Sequence, residues 1–300
     1  MNIDLSYSRA ALVLPKEHSH LKIVIIGAGG TGSFAAQAIA RLVFELKELG
    51  KSVEMLIVDP DRVERGNIPR SNFCSAEIGK FKAQTLAERI ALAWSLQVCY
   101  SNEHFDSEKH LKQEANTYRQ LTVLVGCVDN HRARLDIHRA LEESEGYRSS
   151  EAANTWWIDG GNGKFSGQVL IGSTARQFDI ADCFVGSTIC RKLPAPSLVH
   201  PELLQNQESG IARRATERVS CPDLVRLGEQ SLNINQRVAV EITEMLSSFL
   251  LTGSLRRFAS YFDLESGASR SLYCTPEHIE MAVQLSKAPK PEAGKSRCPK

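Results

Sequence analysis

The sequence contains no apolar run that approaches the roughly 18 residues expected of a membrane-spanning helix. Its first ten residues, MNIDLSYSRA, lack the basic start and the apolar stretch of a secretory signal. We therefore expect a cytoplasmic protein that has no membrane partner.

The sequence also has little excess charge of either sign. Its 36 basic and 35 acidic residues give a formal net charge of +1, which argues against a general electrostatic attraction to nucleic acid. Its hydrophobic content of 42% is ordinary for a globular chain and is enough for a sizeable core. A length of 300 residues suits one large α/β domain or two small ones.

The eight cysteines lack the spacing that marks a local metal site. No two of them form a C-x-x-C pair, and the nearest two, Cys183 and Cys190, are seven positions apart. Disulfides are not expected in a cytosolic chain. The sequence therefore predicts no disulfide framework and offers no local signature of a zinc site, which leaves a site assembled from scattered residues as the alternative.

Residues 21–70 contain the pattern around which the chain is organised. The apolar run Ile23–Ile26 leads into a glycine cluster, and a helical pattern then extends to about Leu49. A second apolar run, Met55–Val58, ends at Asp59. Further apolar runs alternate with helical patterns along the chain. This predicts an α/β fold with a Rossmann-like, mainly parallel sheet and helices on both faces.

The later part of the chain is less regular. Thr155–Ile158 and Gln168–Gly172 are predicted strands around a glycine-rich turn, Gly160–Gly163. Residues 173–220 show no clear period and predict an irregular crossover loop. Gly228–Leu251 is the last long helical pattern, and the late strands that follow it are expected to be antiparallel.

The glycine cluster has the G-x-G-x-x-G spacing of a nucleotide-binding turn, at Gly27, Gly29 and Gly32. Glycines allow a tight turn and a close approach of the backbone to phosphate, and the next helix offers free N–H groups. Asp59 is placed to bind a ribose, 32 positions after Gly27. An NAD site usually has its acid about 20 positions on, so this spacing weakens NAD without excluding it. A plain strand-to-helix turn is the alternative.

Side chains that follow Asp59 favour a triphosphate over a nicotinamide cofactor. They are Asp61, Asn67, Arg70 and Lys82. Arginine and lysine beside a nucleotide neutralise phosphate charge. Asp129 follows another apolar run, where it is placed to hold Mg²⁺ beside those phosphates.

Four blocks occur in one order: GAGGTGS, DPDRVERGNIPR, GKFKAQ and GCVDN. Together they resemble the ThiF/MoeB-type superfamily of ubiquitin-activating-enzyme-like adenylyltransferases, over residues 20–172 and more loosely over 215–252. The resemblance implies that a substrate carboxylate attacks the α-phosphorus of ATP to give an acyl-adenylate and pyrophosphate. It also implies that the partner is a ubiquitin-like protein with a C-terminal glycine.

The resemblance implies a role for each matching residue. It places ATP against the glycine turn, the ribose at Asp59, the triphosphate at the N-x-x-R block and the lysine, and Mg²⁺ at Asp129. Ser71 stands where the family usually has glutamine. The residues so implied at the ATP site are Gly27, Gly29, Gly30, Gly32, Asp59, Asp61, Asn67, Arg70, Lys82, Asp129 and Asn130.

Two catalytic residues are implied outside this core. Cys221 precedes the last long helical pattern, where relatives with a catalytic cysteine place it, and a thiolate there would accept the acyl group as a thioester. Cys183 and Cys190 share the loop and are the alternatives. Arg9 is the candidate for an arginine that relatives take from the partner subunit. A homodimer is therefore expected, with a conjugating enzyme or a sulfur donor as a further partner.

The resemblance implies a single adenylation domain over residues 1–286. Within it we expect a nucleotide-binding core at 21–172, the crossover loop at 173–220, and a C-terminal helix and strands at 221–275. Residues 287–300 are rich in lysine, proline and small residues and are expected to be disordered. Three alternatives stay open: an adenylating enzyme for a small molecule, a peptide or a tRNA base; an NAD-dependent oxidoreductase; and a binding module without chemistry.

Overall fold

The computed structural model describes residues 6–111, 119–144, 152–176, 180–206 and 231–287. The predicted acyl acceptor Cys221 lies outside these ranges, as do residues 177–179 and 207–220 of the predicted crossover loop and the residues after 287.

The strands and helices follow the alternation expected from the sequence. In chain order the strands are β1 (Leu12–Val13), β2 (His20–Ile26), β3 (Ser52–Val58), β4 (Val98–Ser101), β5 (Gln120–Gly126), β6 (Thr155–Asn162), β7 (Ser166–Gly172), β8 (Phe184–Val185), β9 (Ile189–Cys190), β10 (Arg257–Asp263) and β11 (Ser269–Tyr273). The helices are α1 (Ser6–Arg9), α2 (Gly30–Glu48), α3 (Lys82–Trp94), α4 (Ser107–His110), α5 (His131–Ser144), α6 (Pro196–Val199), α7 (Ile234–Leu250) and α8 (Pro276–Lys287).

Eight of these strands form one sheet in the order β11-β10-β7-β6-β5-β2-β3-β4. The run from β6 to β4 is parallel, whereas β7, β10 and β11 are antiparallel. This confirms the predicted fold class. In the central register Ile26 pairs with Val58 on one side and with Gly126 on the other. The carboxyl ends of β2, β3 and β5 therefore meet at one edge, which is where ligands bind in open α/β sheets.

Helices cover both faces of the sheet. Val123 and Val125 of β5 pack in the core that contains α2 and α7. Leu124, between them, packs on the opposite face with Ile137 and Leu141 of α5. Because successive strand residues point to opposite faces, a continuous apolar run such as β5 is buried on both.

The predicted turn at Gly160–Gly163 is wrong in its position, since β6 continues to Asn162. A Cβ atom at Gly160 would lie 2.7 Å from Ile242 and 2.8 Å from Val238. Glycine at this position therefore lets α7 approach the sheet closely, and it does not mark a turn. Helix α8 was also not predicted, although Ile279 within it is fully buried.

In the part of the chain that the structure describes, no helix combines the length and the apolarity needed to cross a membrane.

Candidate functional site

The glycine turn lies between the ends of β3 and β5. Gly27 has a φ of +91°, in the region that favours glycine, and a Cβ atom there would lie 2.7 Å from the carbonyl oxygen of Cys127. The N–H of Ala28 donates to Oδ2 of Asp59 at 2.6 Å. The turn is thus fixed to the same sheet edge from which Asp129 emerges.

The two glycines at the start of α2 serve different purposes. A Cβ atom at Gly32 would lie 1.9 Å from the carbonyl oxygen of Gly27, so only glycine lets the helix pack this close to the turn. At Gly29, no heavy atom of the described residues lies within 4 Å of the corresponding position. Helix α2 starts there without a side-chain cap. Its first N–H groups and the positive end of its dipole are therefore available to an anion.

Asp59 is buried and holds two loops in place. Its Oδ2 atom accepts from Ala28, and its Oδ1 atom accepts from the N–H of Asp61 at 2.8 Å. Burial raises the pKa of Asp59, and the nearby charge of Lys82 opposes that shift. Each carboxylate oxygen keeps a second lone pair, so both can also accept from ribose hydroxyls.

Lys82 brings a positive charge to the same edge of the sheet. Its Nζ atom lies 2.9 Å from Oδ2 of Asp61. The Lys82 side chain is only 9% exposed, whereas that of Asp61 is 65% exposed. Lys82 is therefore held at the site by packing, and its partner is an exposed carboxylate that a phosphate can replace.

Arg70 lies at the end of the 3-10 turn Arg65–Arg70, which follows β3. Among the described residues, its buried Nε atom has no hydrogen-bond partner. Asn67 lies in the same turn, and its Oδ1 atom accepts from the N–H of Glu64 at 2.8 Å. Asn67 thus stabilises the turn that carries Arg70, while Arg70 keeps a buried donor for a ligand.

Asp129 and Asn130 follow β5 and are both exposed. The Oδ1 atom of Asn130 accepts from the N–H of Ala133 at 2.9 Å, so Asn130 caps α5. No group of three or more His, Cys, Asp or Glu side chains that could hold a metal ion occurs within the described ranges. A Mg²⁺ ion at Asp129 would therefore take most of its ligands from phosphates and water.

Asp129 lines a large cleft with a volume of about 1420 Å³. The cleft continues past Asn162 to the far strands of the sheet, where Tyr261 and Arg270 line it. Sites for small ligands usually have volumes of about 300–1,000 Å³. The cleft therefore has room for more than a compact small molecule.

A buried ion pair below this cleft was missed by the sequence analysis. The Nε atom of Arg134, in α5, lies 3.1 and 3.2 Å from the two carboxylate oxygens of Asp159. Asp159 is fully buried, and its burial raises its pKa while Arg134 opposes the shift. Gly126 leaves room for it, because a Cβ atom there would lie 2.8 Å from Asp159. The sequence feature that could have revealed this pair is an acidic residue, Asp159, directly after the apolar residues of β6.

Arg9 does not line the large cleft. It lies in α1 and lines a second cavity of about 730 Å³ with Phe184, Glu277 and His278. The alternative acyl acceptors Cys183 and Cys190 are both fully buried. A hydrogen bond with the thiol of Cys274, together with burial, raises the pKa of Cys190. Neither cysteine is thus presented to a substrate.

The donors at the edge of the sheet fit a phosphate-bearing nucleotide. They comprise the uncapped start of α2, the buried Nε atom of Arg70 and the ammonium group of Lys82. Asp59 supplies acceptors beside them. The open space at Gly29 gives a phosphate access to the backbone.

Comparison with known proteins agrees with this arrangement. Residues 9–200 match the ThiF family. Over 134 residues the chain is 28% identical to ubiquitin-like modifier-activating enzyme 5 of Dictyostelium discoideum, a match that covers 41% of this chain and 33% of that protein. The chain thus matches only one third of the length of this relative.

Solved structures share the fold. E. coli MccB with AMPCPP and MccA has a TM-score of 0.53 and 13% identity, covering 90% of this chain and 66% of MccB. PaaA has a TM-score of 0.50 and 16% identity, covering 84% of this chain and 64% of PaaA. The family match spans more than half of the sequence, and the chain therefore belongs to the ThiF family.

Proposed function

We propose that this protein uses ATP to adenylate the C-terminal carboxylate of a polypeptide, and that this polypeptide is a ubiquitin-like protein ending in glycine. The observation that carries the proposal is the meeting of the open glycine turn, Asp59, Lys82 and Arg70 at one edge of the sheet, beside a cleft that Asp129 lines. Membership of the ThiF family supports the same activity.

The chemistry requires charge neutralisation and positioning more than covalent help. A carboxylate oxygen of the substrate forms a bond to the α-phosphorus of ATP, and the bond from that phosphorus to the bridging oxygen breaks. Pyrophosphate leaves with the electron pair. In this proposal Lys82 and Arg70 balance the phosphate charge, while Asp59 and the glycine turn hold the nucleoside and the phosphates.

Asp129 would hold a Mg²⁺ ion in this site. Such an ion supplies positive charge to the phosphate oxygens as the pyrophosphate departs. The exposure of Asp129 at the mouth of the cleft leaves its carboxylate accessible to a hydrated ion.

The shape of the cleft supports a polypeptide substrate over a compact small acid. From Asp129 the cleft passes Asn162 and reaches Tyr261 and Arg270. An extended chain with its carboxylate near Asp129 would occupy this length. Two relatives offer different precedents: MccB was solved with MccA, and the Dictyostelium relative is named as an activating enzyme for a ubiquitin-like modifier. A peptide is therefore the second candidate substrate.

We also propose that the activated acyl group passes to the thiol of Cys221, which lies outside the described residues. The thiolate would attack the acyl carbon, and AMP would leave. Arg9 lines a cavity of its own, so its contribution to an ATP site would require a second protomer of a homodimer.

The test is exchange of labelled pyrophosphate into ATP. We expect exchange that depends on a small protein ending in glycine, and loss of at least about 100-fold in Asp129→Asn because charge neutralisation carries the reaction. Asp182→Asn, at an exposed aspartate two positions before β8, is the matched control. Exchange with a short peptide alone would favour the second candidate. Exchange with neither substrate, or full activity in Asp129→Asn, would contradict the proposal.

A further inference from the structure

Asn235 joins three parts of the molecule that are distant in sequence. It lies in the first turn of α7 and is 97% buried, with 3% of its surface exposed. Its Oδ1 atom accepts from the hydroxyl of Thr31 at 3.1 Å and from Nδ2 of Asn162 at 2.9 Å. Its Nδ2 atom donates to the carbonyl oxygen of Arg70 at 3.1 Å. One buried amide thus contacts the start of α2, the Arg70 loop and the lining of the cleft.

The space around Asn235 is shaped for it. A Cβ atom at Gly30 would lie 2.6 Å from Nδ2 of Asn235 and 2.8 Å from its Oδ1. Glycine at position 30 therefore has a second use besides those of a phosphate turn, since it makes room for this amide. The contact places α7 directly against the first residues of α2.

We propose that Asn235 is a positioning residue of the nucleotide site, which sets the main chain at Arg70 relative to the N-terminus of α2. The inference rests on the proposed function, because both elements are assigned to the phosphates of ATP. Arg70 and the N-terminus of α2 must face the same phosphates, yet along the chain they are separated by the whole of residues 31–70. The Asn235 amide spans this gap with one donor and one acceptor.

Simple packing does not explain these contacts. A leucine of similar size would fill the volume, but it would leave the hydroxyl of Thr31 and the carbonyl of Arg70 without these partners. Each atom of the amide head group has a polar partner on an element that the proposed function uses. We therefore expect loss of the amide to change nucleotide affinity more than it changes the rate at saturation.

The test compares Asn235→Ala and Asn235→Asp with Asn233→Ala, a change at an exposed asparagine two positions away. Asn235→Asp keeps the acceptors for Thr31 and Asn162 but removes the donor to the Arg70 carbonyl. In pyrophosphate exchange we expect both Asn235 variants to raise KM for ATP about tenfold, with kcat changed by less than about threefold. Asn233→Ala should retain wild-type values.

Amide hydrogen exchange of the free protein provides a readout that does not depend on activity. Residues 65–72 should exchange faster in both Asn235 variants than in Asn233→Ala, because the bond to Arg70 is lost. A second design uses the close contact at Gly30: Gly30→Ala should impair ATP binding, and adding Asn235→Ala should restore part of it by removing the clash. If Asn235→Ala kept the wild-type KM for ATP and the wild-type hydrogen exchange at residues 65–72, the inference would be overturned. Absence of pyrophosphate exchange in the wild type would instead overturn the proposed function, while faster hydrogen exchange at 65–72 would still support the contact.

Discussion

Polar side chains are used differently in the two parts of the large sheet. In the nucleotide half, residues 20–130, Asp59 is bonded to the glycine turn and Lys82 is paired with one exposed carboxylate, and the turn has open space at Gly29. In the distal half, the described residues of 131–287, Arg134 and Asp159 form a buried pair.

This difference separates binding from stability. A ligand can replace the partners of side chains that lie at an open edge, so their loss should affect function first. A buried pair has no substitute partner, and its loss leaves an uncompensated charge inside the protein. Variants in the two halves should therefore produce different phenotypes.

The largest expected effect lies in the distal half. Asp159→Ala leaves the guanidinium of Arg134 buried without its partner, and should lower the free energy of unfolding by about 3–5 kcal/mol. Urea denaturation measures this. Asp136→Ala, at a half-exposed residue of α5 that pairs with Arg139, should change stability by less than about 1 kcal/mol. Equal stability of the two variants would show that the buried pair contributes no more to stability than the more exposed one.

The next effect lies in the nucleotide half. Lys82→Ala should reduce pyrophosphate exchange by at least about 100-fold, because phosphate charge is no longer neutralised. Its urea midpoint should fall less than that of Asp159→Ala, since its ion-pair partner Asp61 is exposed and only the nearby positive charge beside Asp59 is lost. Lys80→Ala, at an exposed lysine two positions earlier, is the control. Loss of folding in Lys82→Ala with unchanged exchange per folded molecule would reverse the comparison.

A smaller effect is expected at the far end of the cleft. The hydroxyl of Tyr261 is hydrogen-bonded to Nε2 of His200 at 2.8 Å, and burial raises the pKa of Tyr261 to about 12. Tyr261→Phe should lower stability by about 0.5–1.5 kcal/mol, measured by urea denaturation. KM for ATP should be unchanged. An increase in KM would mean that Tyr261 is coupled to the nucleotide site.

The smallest effect concerns pH. Burial raises the folded-state pKa of Asp59 above its unfolded value of about 3.9, so folding favours its protonated form. Relative to Asp59→Asn, the wild type should lose stability as pH rises through the interval between these two pKa values. Below the unfolded pKa the two should show parallel pH dependence. Urea unfolding over a pH series measures this, and a wild type that gains stability across the interval would contradict it.

The same contrast explains how much the sequence could predict. Gly27, Asp59 and Asp129 each follow an apolar run, and parallel strands bring their carboxyl ends to one edge, so the gathering of these residues was predictable. The fold class was predictable for the same reason and is confirmed.

The contacts of the distal half could not be predicted from the sequence in this way. Asn162 and Asn235 are 73 positions apart, and His200 and Tyr261 are 61 apart. No local period connects such pairs, because they meet only when α7 and the antiparallel strands pack against the core. Gly160 gave a misleading signal, since a glycine that admits a helix resembles a glycine that forms a turn.

The most direct test of the proposed adenylation is the fate of oxygen-18 from a labelled substrate carboxylate. The wild-type protein would be incubated with ATP and a small protein ending in glycine, whose terminal carboxylate carries oxygen-18. Attack at the α-phosphorus predicts that the released AMP contains one labelled oxygen and that the pyrophosphate contains none. Label in inorganic phosphate, with ADP as the other product, would show attack at the γ-phosphorus and would contradict the proposed adenylation.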